Sequence, residues 1–105
     1  MPKTLWIKDE YLQQILQGRK RIEVRVAYNN IARLNVSDKL LLNDQHLFVI
    51  RRVERYANFA ELLANENAQA IAPDLSHDKL LQVLREIYPP DKETLGVVAL
   101  EIQPE

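Results

Sequence analysis

The chain has 105 residues, of which 47% are hydrophobic, and its formal net charge is -1. This length suits one domain, residues 1–105, with a single modest core. The absence of cysteine excludes disulfides, thiolate nucleophiles and zinc knuckles, and with only two distant histidines we expect no metal site and no cofactor. No apolar run approaches the roughly 18 residues that span a bilayer. The N-terminus also lacks a signal-peptide pattern, so we expect a cytoplasmic protein that does not insert in a membrane.

The charges are unevenly distributed along the chain. Residues 1–56 carry eleven Lys or Arg and six Asp or Glu, whereas residues 57–105 carry three and nine. If the basic strands share a face, that face would attract phosphate. Arg51, Arg52 and Arg55 would extend it, although alternation along a strand must point some of them apart. The alternative is a solvated surface on which opposite charges compensate.

The first half of the chain predicts strands around one helix. Residues 4–8 favour a short strand, after which Asp9 resembles the N-cap of an amphipathic helix that ends at Gly18. Residues 20–28 alternate apolar and charged side chains, as a half-buried strand does. A hairpin follows, with strands at 39–42 and 46–56 joined by a polar turn.

The second half is mostly helical. Asn58 and Ser76 stand at N-cap positions of two helices that Pro73 separates, and Pro89 ends the second one. Residues 96–102 predict a final apolar strand. The order β-α-β-β-β-α-α-β contains too few βαβ crossovers for a doubly wound sheet, so we predict an α+β fold built on a small barrel with inserted helices.

The segment from Gly18 to Arg25 is the candidate site. Lys20, between a helix and a strand, is either a solvated turn lysine or a ligand for phosphate or a carbonyl; burial beside other cations would make it a catalytic amine. Arg21, Glu23 and Arg25 alternate and so point the same way. They form either an exposed ion-pair ladder worth about 0–1 kcal/mol or a polar platform. On such a platform Glu23 accepts from an exocyclic amine while an arginine holds phosphate or stacks on a base.

The spacing of Lys20 and Glu23 sets a condition on any cooperation between them. On a regular strand an odd separation places two side chains on opposite faces, so Lys20 must lie in a turn or a bulge to reach Glu23.

Several residues outside this segment are weaker candidates for ligand binding. Trp6, Tyr28 and Tyr56 offer stacking surfaces, although half-buried aromatic residues are normal at strand ends. Glu66 and Asp74 flank an irregular stretch. They either cover one side of a site or are ordinary acidic residues of a loop. We find no catalytic triad, no phosphate-binding glycine loop and no metal motif.

Taken together, these segments resemble the ASCH family, small domains with a fold related to the PUA module of RNA-modifying enzymes. The resemblance runs through nearly the whole chain, and its elements are fairly specific in combination. Ser37 stands where the family usually has glycine. The matching elements are Trp6, Gly18-x-Lys20-x-x-Glu23-x-Arg25, residues 36–40, 53–59 and 85–89 (Arg-Glu-Ile-Tyr-Pro), and residues 96–100.

The resemblance implies a PUA-like small β-barrel of five to six strands with about three helices packed at its side. It also implies a cleft between barrel and helices that binds RNA or a nucleotide-like ligand. The expected ligand-binding residues are Lys20, Arg21, Glu23, Arg25, Trp6, Tyr56 and Glu66.

The family also suggests an enzymatic alternative. One branch hydrolyses the amide of N4-acetylcytidine with a lysine, a threonine and a glutamate, and other members are described as ribonucleases. Lys20 occupies the lysine position, but Glu23 replaces the threonine nucleophile. The glutamate has no certain counterpart, since Pro73 lies near its place with Glu66 and Asp74 on either side.

Three hypotheses follow. The first is a module that binds RNA or a nucleotide. The second is a hydrolase of a modified nucleoside or RNA, with Lys20 and Glu23 as catalytic residues: Lys20 polarises the substrate and Glu23 serves as general base or orienting carboxylate. The third is a protein–protein adaptor that uses the acidic helices.

Overall fold

A curled sheet of five strands forms the centre of the computed structural model, which describes residues 2–105. The spatial order is β1-β3-β4-β5-β2, with β1 parallel to β3 and every other pair antiparallel. The strands are β1 (Lys3–Leu5), β2 (Ile22–Val26), β3 (Lys39–Leu42), β4 (His46–Tyr56) and β5 (Val97–Pro104). The sheet is a half-barrel whose edge strands are β1 and β2.

Helices cover the sheet, and three of those in residues 2–105 have seven or more residues. These are α1 (Asp9–Leu16), α3 (Phe59–Asn65) and α5 (His77–Ile87), and the short ones are α2 (Asn29–Ala32), α4 (Ala68–Ile71) and α6 (Pro90–Glu93). The predicted α+β fold, a PUA-like small β-barrel of five to six strands with about three helices at its side, is confirmed: within residues 2–105 the barrel is a half-barrel of five strands, and three of six helices have seven or more residues.

The N-termini of α3 and α5, in the acidic half of the chain, are capped by side chains, as predicted. The side chain of Asn58 accepts a hydrogen bond from the backbone N–H of Glu61 at 2.8 Å, and Ser76 accepts one from Lys79 at 3.2 Å. The prediction for Asp9 was wrong. It is the first residue of α1, where its charge favours the positive end of the helix, and Lys8 is the N-cap without a side-chain bond.

The turn after α1 sets the geometry of the site. Gly18 has a φ of +78°, and its N–H donates to the carbonyl of Ile15 at 3.0 Å. The N–H groups of Arg19 and Lys20 then both donate to the carbonyl of Gln14. This left-handed turn, which glycine adopts without steric cost, holds Lys20 outside strand β2. The condition for Lys20 and Glu23 to cooperate is therefore met.

Two apolar clusters lie on opposite faces of the sheet, and β5 contributes to both. Val98, Leu100 and Ile102 join the cluster beneath α1 and α2, whereas Val97 and Ala99 join the one beneath α3, α4 and α5. Strand β2 lies beside β5 at the sheet edge, so the helices on both faces can converge there.

Candidate functional site

A cleft of about 340 Å³ lies along edge strand β2, between the start of α1 and the face of α5. Most of its wall is apolar, and the cluster Lys20–Glu23–Arg25 lines it together with the polar residues Lys8, Tyr11 and Tyr88. The α5 side of the cleft is formed by Leu80, Val83, Leu84 and Ile87. The site is therefore an apolar slot with charged groups along one side.

Lys20 is buried, with only 5% of its surface exposed. Its Nζ donates to the carbonyl oxygens of Ile22 and Ile71, both at 2.7 Å, and lies 3.2 Å from Oε1 of Glu23. The ammonium also lies 5.8 Å from the centre of the Tyr11 ring. An ammonium has three N–H donors, so these three oxygens account for all of them.

Glu23 is held between two cations. Its Oε2 accepts from Nε of Arg25 at 2.7 Å and lies at the same distance from Nη2, while Oε1 faces Lys20. Burial alone would raise the pKa of this carboxyl, but the charges and hydrogen bonds of Lys20 and Arg25 outweigh that cost, so its pKa is lowered. The side chain is therefore a carboxylate at neutral pH.

Arg25 connects this cluster to the mouth of the cleft. Its Nη2 donates to the backbone carbonyl of Trp6 at 2.6 Å, which ties β2 to the loop before α1. Within residues 2–105 no acceptor bonds Nη1, and 23% of the Arg25 side chain is exposed. The guanidinium thus keeps the donors of Nη1 without a partner among residues 2–105.

Comparison with known proteins identifies the family. The ASCH domain model matches residues 5–105, essentially the whole chain. The chain belongs to the ASCH domain family. Among curated proteins, none matches it.

Solved structures share the fold of this ASCH domain. A hypothetical protein, PH0355, is 26% identical over 100% of both chains with a TM-score of 0.93. Protein PF0455 from Pyrococcus furiosus, solved by NMR, is 27% identical over 99% of this chain and 97% of its own, with a TM-score of 0.83. Protein EF3133 from Enterococcus faecalis is 16% identical over 99% and 80%, with a TM-score of 0.66, which shows the fold alone.

Of the expected site residues, the ASCH domain brings Lys20, Glu23 and Arg25 together. Trp6 contributes its carbonyl to this cluster, while its side chain is 64% exposed. Arg21 is exposed and does not line the cleft. Arg21 precedes Ile22, the first residue of β2, and is exposed whereas Glu23 is buried, so the expected common orientation of the two side chains is not found.

Tyr56 and Glu66 lie in a separate cluster on β4 and the end of α3. Arg52 donates to both carboxylate oxygens of Glu66, at 2.9 and 2.6 Å, and the Tyr56 hydroxyl donates to Oε2. Neither Tyr56 nor Glu66 lines the cleft. Asp74 is also outside it, bonded to Arg19 at 3.1 Å and to Gln14 at 3.3 Å.

Tyr88 is a cleft residue that the sequence reasoning did not assign. It caps the C-terminus of α5 and lines the cleft, and it packs against Phe59 with ring centroids 5.7 Å apart. Burial raises the pKa of its hydroxyl; the charge of Arg25 opposes this increase, and that of Glu23 adds to it. The Ile-Tyr-Pro element contained the available signal, because a tyrosine combines an apolar ring with a polar hydroxyl and so suits the edge of an apolar wall.

Within residues 2–105 no three His, Asp or Glu side chains lie close enough to hold a metal ion. Nor does any helix in this range combine the length and apolar character needed to cross a membrane.

Proposed function

We propose that this ASCH domain binds RNA or a nucleotide-like ligand by accepting a base into the cleft beside Glu23 and Arg25. The observation that carries the proposal is an apolar slot that ends on an ionised carboxylate and a guanidinium with unused donors. Its volume, about 340 Å³, falls in the range of small-ligand sites, roughly 300–1,000 Å³. The PUA-like fold of the family, generally linked to RNA binding, supports the same conclusion.

The chemistry of the slot matches the two surfaces of a base. The flat faces would pack against Leu84, Ile87 and the ring of Tyr88, since base–aromatic stacking is tolerant of sequence. At the edge of the base, the Glu23 carboxylate accepts from an exocyclic amine or ring N–H, and Nη1 of Arg25 donates to a carbonyl or ring nitrogen. Complementary edge contacts on an apolar support would fix the orientation of the base.

Lys20 has a positioning role in this proposal. Since all three N–H groups of its ammonium are satisfied by protein oxygens, no donor is left to polarise a substrate. A hydrolase with Lys20 as catalytic residue would have to break one of these buried bonds first. The arrangement therefore favours binding over the amidohydrolase and ribonuclease alternatives.

The adaptor hypothesis has less support. Most of the apolar stripe of α5 turns inward: Leu80 and Leu84 are 3% and 6% exposed and belong to the core, and Leu81 and Val83 are half-buried. Ile87, at the end of the stripe, is 57% exposed. A protein-docking helix would leave such a stripe uncovered.

The proposal is tested by NMR titration of the labelled protein with each of the four nucleoside monophosphates and with a short RNA. We expect amide shifts at residues 20–25 and 80–88, with affinity reduced about tenfold or more in Glu23→Gln and Arg25→Gln. The matched control is Glu66→Gln, which removes a carboxylate that does not line the cleft. Equal affinity in all four proteins would contradict the assignment of the site.

An enzymatic readout belongs in the same experiment. A short RNA that contains N4-acetylcytidine is incubated with the protein while free acetate and RNA length are followed. We expect bound, intact RNA. Acetate or fragments that disappear in Lys20→Ala would replace the binding proposal with the hydrolase.

A further inference from the structure

A second groove, of about 330 Å³, lies beyond the Gly18–Arg21 turn from the cleft. Lys20 lines both cavities, so the turn that carries it forms a ridge between them. The far side of the groove is formed by the end of α1 and by strands β4 and β5.

Two arginines reach this groove from opposite sides of β5. The carbonyl of Arg21 accepts from the N–H of Ile102 at 3.0 Å, which fixes Arg21 against one side of that strand. On the other side, Ile50 pairs with Ile102 and Arg52 pairs with Glu101, so Arg51 is the extra residue of a β-bulge. A bulge breaks the alternation of side chains and redirects the extra one. Arg51 therefore lines the groove while Arg52 bonds to Glu66.

The charge in the groove is not neutralised. Arg21 and Arg51 are both exposed, and within the described chain neither forms an ion pair, in contrast to Arg19, Arg25 and Arg52. Glu101 also lines the groove, but its carboxylate lies 3.3 Å from Nη2 of Arg52. A pair of free guanidiniums matches the fork geometry and charge of a phosphate group.

The floor between these arginines is apolar. Ile15, Phe48 and Ile102 are buried beneath the groove, and Leu16 is 43% exposed at its edge. Such a floor offers a surface to the ribose and base beside a bound phosphate, without competing for the phosphate itself.

We propose that Arg21 and Arg51 bind the phosphodiester backbone of a single-stranded RNA whose base occupies the cleft, so that the strand crosses the Gly18–Arg21 ridge. This inference rests on the proposed function of the cleft and adds a second contact to it. A single nucleotide would fill the cleft alone, whereas only a longer strand would reach the groove.

The test compares a fluorescein-labelled RNA octamer of mixed sequence with the nucleoside monophosphates. The variant Arg21→Gln/Arg51→Gln is expected to bind the octamer about tenfold more weakly at about 0.1 M salt. Its slope of log affinity against log salt concentration should be smaller by about 1.4, since each single-strand phosphate contact contributes about 0.7. Its affinity for the monophosphates should equal that of the unmodified protein.

Two further variants separate position from charge. Arg33→Gln/Lys92→Gln removes the same net charge at side chains that line neither cavity, and it should bind the octamer within about twofold of the unmodified protein. Arg21→Lys/Arg51→Lys should keep the salt slope, because the charges remain. Since Arg21 and Arg51 are exposed and form no ion pair, the fold is expected to survive all three pairs of changes, which an amide spectrum checks.

The outcomes distinguish this inference from the function on which it rests. Octamer affinity and salt slope unchanged in Arg21→Gln/Arg51→Gln would overturn the groove and leave the cleft intact. If that variant loses octamer binding while Arg25→Gln affects no ligand, the proposal that one RNA strand occupies both cavities is wrong. The groove would then bind RNA without any contribution from the cleft. If neither ligand shifts residues of the cleft, the proposed function itself fails.

Discussion

Two carboxylates of this domain are clamped by arginine in nearly the same way, yet their surroundings differ. Glu23 bonds Arg25 and Lys20 along the wall of the cleft. Glu66 bonds Arg52 and Tyr56 and lines neither the cleft nor the groove. In the Glu66 cluster both carboxylate oxygens face the Arg52 fork, and the side chain is 3% exposed. In the Glu23 cluster the arginine lines the cleft, and its Nη1 has no acceptor within residues 2–105.

This difference shows that an ion pair alone does not mark a binding site. The acid of each cluster is buried and ionised, and each is paired with an arginine. Only the Glu23 cluster has donors and acceptors left over beside an apolar wall that can support a ligand. We therefore expect changes at Glu23 to alter both binding and stability, and changes at Glu66 to alter stability alone.

The largest effect is expected from Lys20→Met. The change leaves Glu23 and the carbonyls of Ile22 and Ile71 without their buried donor, and breaking a buried ion pair costs about 3–5 kcal/mol. Urea unfolding monitored by tryptophan fluorescence and circular dichroism measures the loss. A loss below about 1 kcal/mol would show that Lys20 is not the structural centre of the cluster.

The matched variant is Lys20→Met/Glu23→Leu, which removes both partners. Replacing a buried pair by apolar groups is often close to neutral, so we expect much of the lost stability to return while RNA binding stays abolished. Recovery of binding together with stability would contradict the contact between Glu23 and the base.

A smaller loss is expected from Glu66→Gln. Arg52 would lose its bidentate partner, but 35% of its side chain is exposed and it can turn to solvent or to Glu101. We expect a loss of about 1–3 kcal/mol in the free energy of unfolding, with RNA affinity within about twofold. A change in affinity of tenfold would show that the Glu66 cluster reaches the ligand and that the comparison is wrong.

The sequence predicts those parts of the fold that depend on interactions between residues close together in the chain. The hairpin strands β3 and β4 were predicted with their observed bounds, because alternation and the polar turn are local signals. The four-residue helices α2, α4 and α6 were not, because one turn is too short to show a period. Ser37, with a φ of +75°, adopts the left-handed conformation for which the family pattern has glycine.

The site followed the same rule. The motif predicted the group Lys20, Glu23 and Arg25, which lie within six residues of one another. Whether Arg21 lines the cleft depends on the residue at which β2 begins. Whether Glu66 lines it depends on the pairing of its carboxylate with Arg52. Tyr88 reaches the cleft only through the packing of α5. Contacts between distant segments carry no periodic signal in a single sequence.

Acid should weaken both clusters. The pKa of Glu66 is lowered chiefly by its hydrogen bonds from Arg52, against the cost of burial, and that of Glu23 is lowered in spite of its burial. A lowered pKa contributes stability that is present above the ordinary value of 4.5 and lost as pH falls through the folded-state value. We expect Glu23→Gln and Glu66→Gln each to lose less stability than the unmodified protein between neutral pH and pH about 3. Parallel profiles in urea titrations would contradict this.

The smallest effect is expected from Tyr56→Phe, which removes one hydrogen bond to Glu66 and leaves the bidentate bond from Arg52. We expect a loss of about 1 kcal/mol and unchanged RNA binding. Burial, followed by the bond to Glu66, raises the pKa of Tyr56 from 10.0 to about 12. The hydroxyl therefore contributes its full stability below pH 10 and loses it as pH rises towards 12. Because the pKa of Tyr88 is raised as well, phenolate absorbance should show both tyrosines titrating late in the unmodified protein and one fewer late-titrating tyrosine in Tyr56→Phe. If the number of late-titrating tyrosines is the same in the variant, the Tyr56 hydroxyl does not bond Glu66. The Glu66 cluster would then be more exposed to solvent than its comparison with the Glu23 cluster assumes.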